Sequence, residues 1–229
     1  MRRHLFYVKL FSWNCNIRQA ALAKLVEVAH ANMDTRTRFV WSKMWAVMSA
    51  FFCDACCHVS SVEVAMYAAD SLRQLATKFL EREELLNYSF QNEFLKPFVV
   101  VTRRSKSPAV REFIVRCAGS MIGGQAKNVK SGWKSVFAVL TLAAADARPT
   151  TAALAFEIVE RVIREHFDRI TETDPSVFTD CVDCLIAFTR YAKEDNGADG
   201  VVALNAVAFL RFCALKLADG AIGDLEKGV

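Results

Sequence analysis

Apolar residues along this chain recur at three- and four-residue intervals, the spacing that puts them on one side of a helix. Leu22, Leu25, Val26 and Ala29 mark such a face in a first helix, Ile17–His30. A second helix starts near Thr37 and is apolar almost all round: Phe39, Val40, Trp41, Met44, Trp45, Val47, Met48, Phe51 and Phe52 leave it little solvent face, so it is expected to sit between neighbours. Ser60 and Glu63 form a capping-box pattern ahead of a third helix reaching Leu80, with Val64, Ala68, Leu72, Leu75 and Phe79 as its packing stripe. An acidic corner, Glu81–Asn87, leads into a fourth helix, Gln91–Arg104, in which Pro97 should produce a kink or a later start.

Proline near the first helical position marks three further starts, at Ser107-Pro108, Arg148-Pro149 and Asp174-Pro175. They open helices over Pro108–Ile122, Pro149–His166 and Pro175–Ala192, and Ser131–Ala147 carries another between the first two. The polar loop KEDNGADG precedes a last helix, Val201–Leu217, and Gly220 is a stop signal. The pattern gives about nine helices and no credible strand, with pairs recurring at about 40 residues, the spacing of stacked helical hairpins. The expected fold is an all-α, HEAT/armadillo-like solenoid of helical hairpins, with a charged tail over residues 220–229.

Composition narrows the function classes. Nine Gly and four Pro in 229 residues are too few for a β-sandwich. A net charge of +4 is too mild to indicate nucleic-acid binding. No uninterrupted apolar run reaches the roughly 20 residues that span a bilayer. The first residues, MRRHLFYVKLFSW, have the outline of a signal peptide, but Lys9 interrupts the apolar stretch and no cleavage site follows. The chain is expected to be cytoplasmic, with its eight cysteines reduced.

Candidate chemistry is thin. Cys53, Cys56, Cys57 and His58 have a metal-like spacing, and Cys181 and Cys184 form a second C-x-x-C. Structural zinc needs four converging ligands, and the second pair lies on an apolar face beside Leu185 and Phe188, so buried structural cysteines are expected and no metal or cofactor. His4, His30, His58 and His166 lack a nucleophile in a recognisable turn, and Gly123-Gly124 ends a helix instead of opening one after a strand. No catalytic residue is assigned.

Basic residues give the one candidate contact surface. Arg103, Arg104 and Lys106 cluster at a helix end with Arg111 just beyond, and Lys127, Lys130 and Lys134 occupy the next loop and helix start. Stacked hairpins would join them into one patch facing anionic headgroups or an acidic protein. The plainer alternative is compensation of helix dipoles plus a solvated loop.

The letters themselves add a resemblance. DSLRQLATKFLEREELLNYSFQNEFLKPF, over Asp70–Phe98, resembles the region downstream of the catalytic domain in the brefeldin-A-inhibited (BIG-type) guanine-nucleotide exchange factors for ARF GTPases, of the Sec-seven family. Collinear segments agree: KLVEVAHANM (Lys24–Met33), RFVWSKMW (Arg38–Trp45), VREFIVRCAGSM (Val110–Met121), NVKSGWKSVFAVLTLAAAD (Asn128–Asp146), CVDCLIAF (Cys181–Phe188) and LRFCALKLAD (Leu210–Asp219). The likeness covers residues 22–219, and residues 1–21 fall outside it.

The resemblance implies an α-solenoid, the first homology domain downstream of the catalytic domain. Such domains regulate exchange and recruitment to trans-Golgi or endosomal membranes. The implied partners are an ARF-type small GTPase, an anionic membrane surface and other parts of a larger exchange factor, with no nucleic acid. The exchange domain's Phe-Arg-Leu-Pro-Gly-Glu motif does not occur here, so exchange activity is not carried over and the chain is expected to be non-enzymatic. The alternative is a generic HEAT-like protein-binding scaffold.

Overall fold

The structure, a computed structural model, describes residues 15–58, 61–82, 89–190 and 197–220, and all of its regular elements are helices. Among the described residues there are nine: α1 (Cys15–Met33), α2 (Arg38–His58), α3 (Val62–Leu80), α4 (Phe90–Arg104), α5 (Pro108–Gln125), α6 (Trp133–Ala144), α7 (Pro149–Thr173), α8 (Pro175–Thr189) and α9 (Gly197–Ala218). Their starts follow local chemistry. Ser61 and Ser107 cap α3 and α5 by accepting from the amides of Val64 and Val110, each at 3.4 Å, and Asp174 caps α8 from Ser176 at 2.8 Å. The expected third-helix cap, Ser60, lies outside the described residues, and Ser61 does that work. Each of the three prolines opens its helix as expected.

Each helix packs on the one two ahead of it. Helices α1, α3, α5 and α7 form one layer and α2, α4, α6 and α8 the other, while α9 lies on α8 and touches α7. This is the stacking of a helical-hairpin solenoid, in which every hairpin buries its face on the next. One continuous core runs between the layers, and Trp41, Phe52, Phe94, Phe98, Trp133 and Phe137 are among its fully buried members.

Several boundaries differ from the sequence reading. Helix α4 does not start late: it runs from Phe90 through Pro97, which sits buried at its eighth position. Its missing amide deprives only the Glu93 carbonyl of an intrahelical donor, and packing against α2 outweighs that loss. Gly123 and Gly124 lie inside the last turn of α5, not beyond it. Helix α7 continues past His166, although His166 itself leaves helical geometry (φ −134°, ψ 17°), so the anticipated end survives as a break. Helix α9 begins at Gly197, four residues early.

Helix α2 is not enclosed. Phe39 is 68% exposed and Val47 59%; among the described residues α2 is the first member of its layer and only α4 flanks it there. The other end of the stack is similar: α9 leaves Leu204 71% exposed. Gly200–Ala218 is long and apolar enough to cross a membrane by length and composition, with mean hydropathy 1.8. Counting uninterrupted apolar residues misses it because Asn205, Arg211 and Lys216 punctuate the run.

One buried polar side chain fixes the spacing of the hairpins. Gln91, 1% exposed in the first turn of α4, accepts from the amides of Lys130 (2.8 Å) and Gly132 (3.3 Å) and donates to the Asn128 carbonyl (2.8 Å). It thereby serves the backbone of the α5–α6 connection. Gly132 permits this approach: a Cβ there would meet Leu95 at 3.0 Å and the Gln91 amide oxygen at 3.2 Å. Gln91→Met keeps the volume but strands those backbone groups, and should cost about 2 kcal/mol. The expected reading is a fall of about 5 °C in the thermal midpoint. An unchanged midpoint would show that water replaces the amide without loss.

Candidate functional site

The first basic group is built by the end of α4. Ser105 closes that helix, its amide donating to Val101 and its hydroxyl to the Cys56 carbonyl at 3.4 Å, which ties the end of α4 to the end of α2. Arg103, Arg104 and Lys106 are consequently held exposed beside His58. The Arg104 guanidinium lies 3.4 Å from His58 Nε2, and His58 Nδ1 lies 3.6 Å from Asp54. Cations at the C-termini of two helices compensate their dipoles, so part of this cluster is structural.

Arg111 does not belong to it. Its guanidinium turns inward to Asp146, Nε–Oδ2 2.6 Å, and its Nη1 donates to the Ser105 carbonyl at 2.9 Å. The Asp146 side chain is only 4% exposed. Burial pushes that carboxyl up, but the Arg111 hydrogen bond, the Arg148 amide and the two guanidinium charges outweigh it and hold the group below its ordinary value.

The second basic group lies on the α5–α6 connection and the first turn of α6, where Lys127, Lys130 and Lys134 are all exposed. Gln91 anchors this connection to the start of α4, whereas the first group lies at the end of α4. Thirteen residues at 1.5 Å each separate Gln91 from Arg104, roughly 20 Å. The single patch expected from the sequence is therefore two groups at opposite ends of one helix. Lys134 also has a neighbour: its ammonium pulls against the burial that raises the Asp180 carboxyl on α8.

The other candidates resolve into packing. Cys53 Sγ donates to the Pro97 carbonyl at 3.8 Å and Cys56 Sγ to Ala65 at 3.7 Å, so these thiols point to different helices. Burial pushes the Cys53, Cys117 and Cys184 thiols up to about 12. Cys181 pairs with Cys213 on α9, and Cys184 meets Thr141, so the second C-x-x-C does not converge. Among the described residues no group of three His, Cys, Asp or Glu side chains is placed to hold a metal ion. In the acidic corner, Glu93 pairs with Lys96 at 3.7 Å and Glu81 is exposed, while Glu83 and Glu84 lie outside the described residues.

Gln91 and Gly132 are the residues sequence reasoning missed, while Arg111, named there beside the basic cluster, pairs inward with Asp146 instead. A glutamine on the apolar face of its helix, three, four and seven residues before Phe94, Leu95 and Phe98, was the available signal for the first.

Residues 78–161 match the sequence model of the family described as Mon2/Sec7/BIG1-like, HDS. The chain is similar to Brefeldin A-inhibited guanine nucleotide-exchange protein 1 of Arabidopsis thaliana, 55% identical over 208 residues, covering 91% of this chain and 12% of that protein. Protein 3 of the same plant is 52% identical over 89% of this chain and 11% of its own length. The human protein 1 is 37% identical over 88% of this chain and 10% of its own. The chain thus spans about a tenth of the length of the curated relatives it matches.

Proposed function

We propose, on the premise that this chain belongs to the brefeldin A-inhibited guanine nucleotide-exchange family as a segment carrying its HDS homology domain, that it is a non-catalytic, HEAT-like regulatory module. It is the first such domain downstream of the catalytic one, and it regulates exchange by an ARF exchange factor in Golgi vesicle trafficking. It works by contact with an ARF-type GTPase or an anionic membrane surface, from the cytoplasmic face of trans-Golgi or endosomal membranes. The observation that carries this reading is the likeness along nine-tenths of the chain to proteins named for nucleotide exchange.

The two basic groups are the proposed contacts, and their separation lets each be tested alone. Arg103, Arg104 and Lys106 are changed to Glu in one variant. In the other, Lys127 and Lys130 become Glu, and Lys134 becomes Gln, since a carboxylate there would face Asp180. Binding to ARF locked with GTP or GDP and to phosphatidylserine vesicles is then measured. The expected outcome is GTP-dependent capture of ARF, or vesicle binding, that one variant lowers at least about tenfold, with helical circular dichroism intact. Capture that ignores the nucleotide, with both variants behaving as the parent, would leave a generic protein-binding scaffold.

A further inference from the structure

We propose that the groove between α2 and α4 receives an amphipathic helix of a partner protein, lying antiparallel to α4 with carboxylates of its first turn against Arg104 and Lys106. The proposal rests on reading the Arg103–Lys106 group as a partner contact, and adds what kind of partner it takes.

The groove exists because α2 turns small side chains to it. Ser42, Ala46, Ser49 and Ala50 recur at helical spacing, and opposite them α4 offers Glu93, Lys96, Pro97, Val100 and Arg104. The cavity is about 520 Å³. From Ser42 to Asp54 it runs 12 residues, roughly 18 Å or three helical turns. That is the length over which an amphipathic helix sets its i, i+4 and i+7 side chains. The floor is rigid: the Trp45 indole donates to the Phe94 carbonyl at 3.2 Å, and Cys53 Sγ contacts the Pro97 carbonyl.

Charge fixes the occupant's direction. At the near end Glu93 is paired with Lys96, so little net charge is left there. At the far end Asp54 faces His58, and among the described residues Arg103, Arg104 and Lys106 have no carboxylate partner. Unpaired cations at one end of an otherwise mostly apolar groove call for carboxylates at one end of the ligand. Carboxylates are best tolerated at a helix N-terminus, where the backbone dipole is positive. The N-terminus of the guest then meets the C-terminus of α4, so the two helix dipoles oppose favourably. A second copy of the chain fits less well, since the exposed apolar face of α9 carries Arg211 and Lys216 and no acidic residue from Gly200 to Ala218.

The test uses the full chain and a synthetic helical peptide of about 16 residues, with glutamates in its first turn and leucines at i, i+4, i+7 and i+11. Its twin carries lysines in place of the glutamates. Fluorescence anisotropy should show saturable micromolar binding of the first and binding at least about tenfold weaker for the twin. Ala50→Trp, at an exposed position, fills the groove and should abolish binding without changing the melting temperature; Ala46→Trp is the second such variant. Absence of saturable binding overturns the proposal, as does an affinity indifferent to the charge swap or to both fillings. A parent dimer that Ala50→Trp makes monomeric, or vesicle binding that the same variant removes, also overturns it by assigning the groove to a second copy or to lipid. Neither ARF nor a membrane enters the peptide measurement. Its failure therefore leaves the family-level function standing, and failure of ARF capture leaves the groove standing.

Discussion

Phe94→Ala should lower the stability of the chain by about 4 kcal/mol, the upper range for deleting a buried aromatic ring. Phe94 is fully buried and is clasped on both faces: the Phe79 ring lies at 3.9 Å with 8° between planes, and the Trp45 ring at 4.0 Å with 14°. Trp41 stacks farther out, at 6.4 Å. These partners come from α2 and α3, so one side chain of α4 joins three helices and both layers. Its removal opens a cavity that stacked rings on two rigid helices cannot collapse to fill. The loss should appear as a lower urea midpoint with an unchanged slope. Phe94→Leu, which refills much of the volume, should cost less than half as much. A midpoint within about 1 kcal/mol of the parent for the alanine variant would show that the stack relaxes, and that the ring is not what holds the layers together.

The aromatic core was visible in the sequence because its determinants are local. Phe79 falls on the packing stripe of its helix, Trp41 and Trp45 lie in a helix apolar almost all round, and the three proline starts need nothing beyond their own neighbours, whereas Phe94 carried no expectation of its own. What failed depended on neighbours that periodicity cannot supply. Pro97 looks like a sign of a later helix start until α2 is placed against it. Phe39 and Val47 look like core until α2 proves to have only α4 beside it in its layer among the described residues. Arg111 looks like one more surface cation until Asp146, 35 residues away, turns it inward. The basic patch failed for a reason the sequence did contain. A single helix, α5, separates Arg104 from Lys127, and in an antiparallel hairpin the two ends of one helix lie at opposite sides of the layer. Clustering in sequence is not clustering in space where helix parity opposes it. The exposure of the six candidate basic residues was thus legible, and their division into two groups was legible only by counting helices.

Asp146→Ala should cost about 3 kcal/mol at neutral pH, because it leaves the Arg111 guanidinium in a largely buried place without its carboxylate. Three connections converge there. Arg111 joins the start of α5 to the α6–α7 turn, Asp146 accepts from the Arg148 amide at 3.0 Å, and Arg111 also satisfies the Ser105 carbonyl that ends α4. Because the pair holds the Asp146 carboxyl below its ordinary value, the sign of its pH dependence follows. A carboxylate depressed in the folded state binds its proton more readily when the chain is unfolded. Its contribution is therefore complete above the unfolded value, near pH 4, and disappears as the pH falls through the folded value. Asp70, whose hydrogen bonds from Arg73 (2.7 Å) and Gln74 (2.8 Å) overcome a burial that pushes it up, acts in the same direction. Urea titrations of parent and Asp146→Ala should differ by about 3 kcal/mol at pH 7, and the difference should shrink steadily as the pH falls below about 4. A difference that stays constant from pH 7 to pH 3 would mean that packing, not the charge pair, carries the loss. The double variant Arg111→Met with Asp146→Leu discriminates further. Removing both charges should recover part of what either single change loses, since the cost lies in leaving one buried charge without the other.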